Sequence, residues 1–285
     1  MNDLTYDATS KFLTTDQGRL HYHEAGEGVP LLLIHGSGPG VTGWANFQGN
    51  LPVFAEHFRC LILDLPGYGG SDPIEGNPVM ISADAVIRFM DGMQIAKAHI
   101  VGNSLGGLVG SQVAANHPAR VDRFVTIGGI GAALFSSFPA EGINRLVEFT
   151  ENPTRELLVA WLRSMVFDQA LVTDALIEER FQRAIDPQML ATSRKLYSRA
   201  AIQAIAAATR GPSATLGIAH LGKIQAPTLV TWGRDDRVSP VDMALLPMRI
   251  IPRCELHVFP DCGHWVMIER KAEFENVVLG FLRRG

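Results

Sequence analysis

The chain has 285 residues, of which 47% are hydrophobic, enough for one sizeable core with room for an insertion. Its formal net charge is -4 and its acidic and basic residues are interspersed, which leaves no basic field for nucleic acid. No run approaches the roughly 18 apolar residues of a membrane span.

The first residues, Met1-Asn2-Asp3-Leu4-Thr5-Tyr6-Asp7, are polar and acidic and lack the cationic start and apolar stretch of a signal peptide. Arg19 to Glu24 then alternates like a strand. Val29 to Ile34 is a continuous apolar run ending in His35-Gly36-Ser37-Gly38-Pro39-Gly40. Phe58 to Leu63 reads as another buried strand, closed by the turn-rich Asp64-Leu65-Pro66-Gly67-Tyr68-Gly69-Gly70-Ser71. A helix is predicted over Ala83 to Met93, a strand over Ala98 to Val101, a helix over Leu108 to His117 and a strand over Arg123 to Ile127. Between Gly131 and Pro212 the strand pattern is lost, and helices are expected over Thr154 to Val166, Thr173 to Ile185 and Gln188 to Ala208. Alternation returns with strands at Thr228 to Trp232 and Leu256 to Phe259 and a closing helix at Ala272 to Leu282. The expected architecture is an α/β fold, a mostly parallel central sheet flanked by helices with an inserted helical cap. The divisions are 1–130 and 213–285 for the core and 131–212 for the cap.

Gly102-Asn103-Ser104-Leu105-Gly106 fits the G-x-S-x-G nucleophile elbow, which holds a serine on a tight strand-to-helix turn. The predicted strand before it and helix after it supply the context that the motif requires. An acid and a base follow at the ends of later strands: Asp236 in Gly233-Arg234-Asp235-Asp236-Arg237, and His264 in Pro260-Asp261-Cys262-Gly263-His264-Trp265. Catalytic groups of open α/β sheets gather at the carboxyl ends of strands, and the order Ser, acid, His is that of the α/β hydrolases. In acyl transfer His264 would take the Ser104 proton, while Asp236 fixes the imidazole tautomer. Two N–H groups for the oxyanion are expected from Leu105 and Ser37.

Asp235 competes with Asp236 for the acid role, and either can pair with Arg234 or Arg237. His35 is expected to hold a turn, and the remaining histidines lie in or beside predicted elements. Cys60, Cys254 and Cys262 are too few and scattered for a disulfide framework or a C-x-x-C metal site, so packing roles and a reducing, cytoplasmic setting are expected. No pyridoxal, thiamine or dinucleotide fingerprint and no metal cluster is visible, so no cofactor is expected.

Across nearly its whole length the chain resembles the meta-cleavage product hydrolases, carbon–carbon bond hydrolases of the α/β-hydrolase superfamily. The likeness is carried by His35-Gly36-Ser37-Gly38-Pro39-Gly40 with Gly43-Trp44-Ala45-Asn46-Phe47, the elbow through Gly107, Trp232-Gly233-Arg234-Asp235-Asp236-Arg237, and Cys262-Gly263-His264-Trp265. The resemblance implies hydrolysis of 2-hydroxy-6-oxohexa-2,4-dienoates, small-molecule products of aromatic ring opening, to 2-hydroxypenta-2,4-dienoate and a carboxylic acid. It also implies a cap arginine for the substrate carboxylate, matched here by Arg180, and Asn46, Asn103 and Trp265 lining the polar end. Glu178 or another helix carboxylate is the competing partner for Arg180. Phe135, Phe138, Trp161, Met165 and Phe167 are candidate pocket residues on the cap. The resemblance further implies a homo-oligomer, a dimer or larger, as is common among such relatives. A carboxylesterase or lactonase on the same scaffold is the alternative function.

Overall fold

Five short, largely buried apolar runs, each too brief for a helix of its own, and a more exposed outer strand form the parallel part of the sheet. In the computed structural model, which describes residues 4–208 and 216–284, eight strands join in the order β1-β2-β4-β3-β5-β6-β7-β8. These are β1 (Ser10–Thr15), β2 (Gly18–Ala25), β3 (Pro30–Ile34), β4 (Arg59–Leu63), β5 (Ala98–Asn103), β6 (Val121–Ile127), β7 (Thr228–Gly233) and β8 (Cys254–Phe259). β1 and β2 form an antiparallel hairpin whose second strand pairs antiparallel with β4, and β3 to β8 are parallel. β1 was not anticipated. Its half-exposed edge-strand sequence, Ser-Lys-Phe-Leu-Thr-Thr, has only intermediate and exposed positions and so lacks the apolar run that betrays the inner strands.

Successive residues of a strand point to opposite faces, and the core divides accordingly. Leu31, Leu33, Ile62, Val101 and Val125 join one buried cluster, while Leu32, Ile34, Leu63, Ile100 and Phe124 join the other. Both faces are therefore covered, as a parallel sheet requires. Helices Pro78–Gly92 and Leu105–Asn116 pack against each other and the second of these lies on β5 and β6.

Between β6 and β7 the chain is helical, with Glu141–Glu151, Arg155–Met165, Asp174–Ala184, Pro187–Tyr197 and Arg199–Ala208. The single helix expected over Gln188 to Ala208 is instead two helices, because Ser198 adopts an extended backbone with ψ 156° and its N–H closes on Arg194. No proline or glycine marks this break, so periodicity alone ran through it. The expected cap–core junction at 212 and 213 lies outside the described residues. No helix among the described residues is long and apolar enough to cross a membrane.

Candidate active site

β5 ends at Asn103, and the next residue, Ser104, has φ 51° before the Leu105–Asn116 helix begins. This left-handed conformation is costly for a residue with a Cβ and survives only where the surroundings enforce it. The enforcement is steric. A Cβ on Gly102 would lie 2.2 Å from the Gly106 carbonyl oxygen, and one on Gly106 would lie 2.1 Å from that of Ile34. The Ser104 N–H is tied to the Ile127 carbonyl at 2.9 Å. The turn thus leaves the serine side chain half-buried at the carboxyl edge of the sheet.

Asp236 and His264 arrive on the loops that follow β7 and β8. His264 Nδ1 lies 2.6 Å from Asp236 Oδ2, and both side chains are almost wholly buried. Asp236 Oδ1 accepts the Val238 and Ser239 N–H groups at 2.7 and 2.9 Å. Two backbone donors on one oxygen direct the other toward the imidazole, which fixes Nδ1 as the donor and leaves Nε2 free to accept. The His264 N–H is held by the Met165 carbonyl at 2.7 Å. Asp235, the competing acid, instead pairs with Arg234 at 3.2 Å.

Ser104 and His264 line one narrow cavity, together with Ser37, Asn46, Asn103, Arg180 and Trp265. The Asn46 carboxamide oxygen accepts the Gly36 N–H at 3.0 Å, and Asn103 Nδ2 donates to Ile127 at 3.3 Å. Among the described residues neither the Ser37 nor the Leu105 N–H has an acceptor. Leu105 opens its helix, where the N–H groups lack intrahelical partners and the dipole favours negative charge.

Arg180 is 2% exposed, yet among the described residues no carboxylate lies within ion-pair distance of it. Glu178 accepts from Gln182, and Glu179 pairs with Arg183 at 2.9 Å. The Arg180 guanidinium instead lies over the Trp265 ring, 5.4 Å from its centroid, and its Nη1 has no hydrogen-bond partner. Burial holds its pKa down, to about 10. A buried cation with an unsatisfied donor beside a cavity has the chemistry to receive an anion.

His35 is fully buried. Its Nε2 accepts the Leu65 N–H at 3.0 Å, and its Nδ1 donates to the Gly36 carbonyl, so both nitrogens serve the backbone. Burial pushes its pKa down. All three cysteines are free thiols, and burial raises Cys60 to about 12 and Cys254 to about 11. Trp161 and Met165 line the Ser104 cavity, whereas Phe135 and Phe167 border an outer cleft behind Asp236. Phe138 borders neither.

Two contributors escaped the sequence reading. Tyr197, at the end of its helix, hydrogen-bonds the Ser37 hydroxyl and joins the cavity wall. Glu269 accepts the N–H groups of Phe167, Asp168 and Gly263 at 2.6, 3.1 and 2.8 Å, stitching the His264 loop to the end of the Arg155–Met165 helix. No local motif announces either residue. Among the described residues, no group of three or more His, Cys, Asp or Glu side chains is arranged to hold a metal ion.

Residues 29–271 match the model of the alpha/beta hydrolase fold family, and the chain belongs to that family. Within it, the chain is 37% identical over 299 residues, covering all of both sequences, to the 2-hydroxy-6-oxo-6-phenylhexa-2,4-dienoate hydrolase of Burkholderia cepacia. It is 35% identical, again over the whole of both, to the 2-hydroxy-6-oxononadienedioate/2-hydroxy-6-oxononatrienedioate hydrolase of Comamonas testosteroni. A solved meta-cleavage product hydrolase from Pseudomonas fluorescens IP01 superposes with a TM-score of 0.84 at 32% identity, covering 96% of this chain and 97% of the other. The chain is a meta-cleavage product hydrolase, a serine hydrolase acting on carbon–carbon bonds.

Proposed function

We propose that Ser104, His264 and Asp236 are the catalytic triad for hydrolysis of a 2-hydroxy-6-oxohexa-2,4-dienoate, with the Ser37 and Leu105 N–H groups as oxyanion donors. Arg180 binds the C1 carboxylate, and Asn46, Asn103 and Trp265 line that polar end. The observation that carries this reading is the unpaired, buried Arg180 guanidinium in the same cavity as the serine and imidazole. An ester hydrolase with a neutral substrate has no use for such a cation.

The dienol must first become an electron sink. Protonation at C5 with loss of the C2 hydroxyl proton gives the C2 ketone, conjugated through C3 and C4. Ser104 Oγ then adds to C6 as its proton passes to His264 Nε2. Collapse of the oxyanion breaks C5–C6, and the electron pair runs into the C2 carbonyl as a dienolate, which takes up a proton as 2-hydroxypenta-2,4-dienoate. Water activated by His264 hydrolyses the C6 acyl-serine and releases the carboxylic acid.

The helical run between β6 and β7 supports a cap at 131–212 over a core of 1–130 and 213–285. Three free thiols fit a reducing cytoplasm. Exposed Phe12 and Val258 on the two outermost strands offer surfaces for the homo-oligomer, which light scattering would report.

The test is loss of the visible dienolate band from 6-phenyl and 6-methyl dienoates, measured beside nitrophenyl esters. Bleaching with release of carboxylic acid is the expected result, and Ser104→Ala should abolish it while still binding the dienoate. Brisk ester cleavage without bleaching would move the function to a carboxylesterase or lactonase.

A further inference from the structure

The helix Pro187–Tyr197 stops where Ser198 turns extended, and its last residue sends a phenol across from the cap to the glycine loop. Its backbone is pinned from behind. The Tyr197 carbonyl accepts the Thr150 hydroxyl at 2.8 Å, and the Thr150 carbonyl accepts Arg194 Nε at 2.9 Å. The phenol meets the Ser37 hydroxyl, and both residues line the cavity that Ser104 and His264 share.

Neither partner needs this bond to keep its place. The helix is also held to the core by Thr192 Oγ1, which donates to the Gly67 carbonyl at 3.3 Å, and by Lys195 pairing with Glu75 at 3.1 Å. On the glycine loop the Gly36 N–H is given to Asn46 at 3.0 Å, and the Gly38 carbonyl accepts the Val41 N–H at 3.1 Å. The Trp161 ring closes on Gly38, where a Cβ would lie 2.5 Å from Cη2. The loop backbone is therefore set, and the freedom left at Ser37 is rotation of its side chain and hydroxyl proton.

Tyr197 removes that freedom. A phenol is a stronger acid than an alcohol, so its O–H donates and Ser37 Oγ accepts. Burial raises the Tyr197 pKa, which keeps the proton on the phenol. The Ser37 proton must then turn away from Tyr197, and it has no acceptor among the described residues. A hydroxyl that accepts one hydrogen bond donates a stronger second one.

We propose that Tyr197 is a positioning residue for the chemical step, whose phenol fixes the Ser37 hydroxyl so that the Ser37 proton is offered to the oxygen on C6 as that oxygen becomes an anion. The role rests on the triad and oxyanion donors proposed above, and it adds a side-chain donor to the two N–H groups.

The experiment is a double-mutant cycle of Tyr197→Phe and Ser37→Ala, read as kcat and KM on the 6-phenyl dienoate and on a nitrophenyl ester, with a thermal melt of each protein. Ser37→Ala should lower kcat about a hundredfold and Tyr197→Phe about tenfold on both substrates, each with KM nearly unchanged. The double variant should be no slower than Ser37→Ala, because Tyr197 acts only through the hydroxyl that this change removes. A Tyr197→Phe enzyme with wild-type kcat, or losses that multiply in the double variant, would overturn the role and leave the triad standing. If the wild-type enzyme cleaves the ester without bleaching the dienoate, the dienoate reading fails instead, and the same cycle on the ester decides the role of Tyr197.

Discussion

Replacing Arg180 with Met separates a binding role from a structural one, because the two predict opposite effects on stability. The guanidinium is 2% exposed with no carboxylate partner among the described residues, and burial lowers its pKa from 12.5 to about 10. That difference corresponds to about 3 kcal/mol held against the folded state. The stacking on Trp265 at 5.4 Å returns about 1 kcal/mol, and Met fills much of the vacated volume. Arg180→Met should therefore raise the free energy of unfolding by about 2 kcal/mol, or Tm by roughly 5 °C. In the proposed binding role Arg180 makes a charge-assisted bond to the substrate carboxylate that the substitution removes, so kcat/KM on a dienoate should fall on the order of a thousandfold. Hydrolysis of a nitrophenyl ester should change far less. Thermal denaturation and dienoate kinetics on the same preparation decide the matter. A variant that melts earlier and keeps its dienoate activity would refute the reasoning, since Arg180 would then be a packing residue.

Asp236→Asn should lower kcat about ten-thousandfold with the fold intact, because an amide presented to His264 Nδ1 selects the wrong tautomer; steady-state kinetics and circular dichroism check this together. Gly106→Ala should cost about 3 kcal/mol in urea denaturation, since its Cβ would press 2.1 Å from the Ile34 carbonyl oxygen. Acid should destabilise the protein through its buried histidines. Burial lowers His23 to about 4 and depresses His35, His99 and His220 as well. The unfolded chain therefore binds protons first, and stability present above about pH 6.5 is lost as pH falls toward 4. His23→Gln should flatten that slope by about 1.4 kcal/mol per pH unit at its steepest, measured by urea melts across the range.

The inner strands and the elbow were legible because their signals are local. β3 and β5 are short apolar runs that end within two residues of a glycine, and Gly102 and Gly106 stand where backbone atoms approach within the reach of a Cβ. The edge strand β1 was not legible, since an exposed strand needs no apolar run, and the Ser198 break was invisible because an extended serine carries no breaker residue. Tyr197 and Ser37 are 160 residues apart, a separation over which no spacing rule operates.

A deeper limit concerns polarity, because a sequence reports which polar residues exist and not which are left unsatisfied inside. His21 is buried and bonded to Asp64 at 2.7 Å and to Ser10 at 2.8 Å, the same three residue types as a catalytic triad. Asp64 also accepts the N–H groups of Gly43 and Gly70 at 2.6 and 3.1 Å, so this cluster ties the β4 loop to its neighbours and every partner is spent. At Ser104 the accounting differs. The His264–Asp236 pair is complete, but the Arg180 Nη1 and Trp161 Nε1 donors are buried without acceptors on the wall of the same cavity. Each such donor costs about 1–3 kcal/mol or more when unpaired. An acceptor that fills the cavity would recover that cost. Residue type alone cannot separate these two serine–histidine–aspartate clusters; the cavity that Ser104 and His264 line, with a buried unpaired cation on its wall, can.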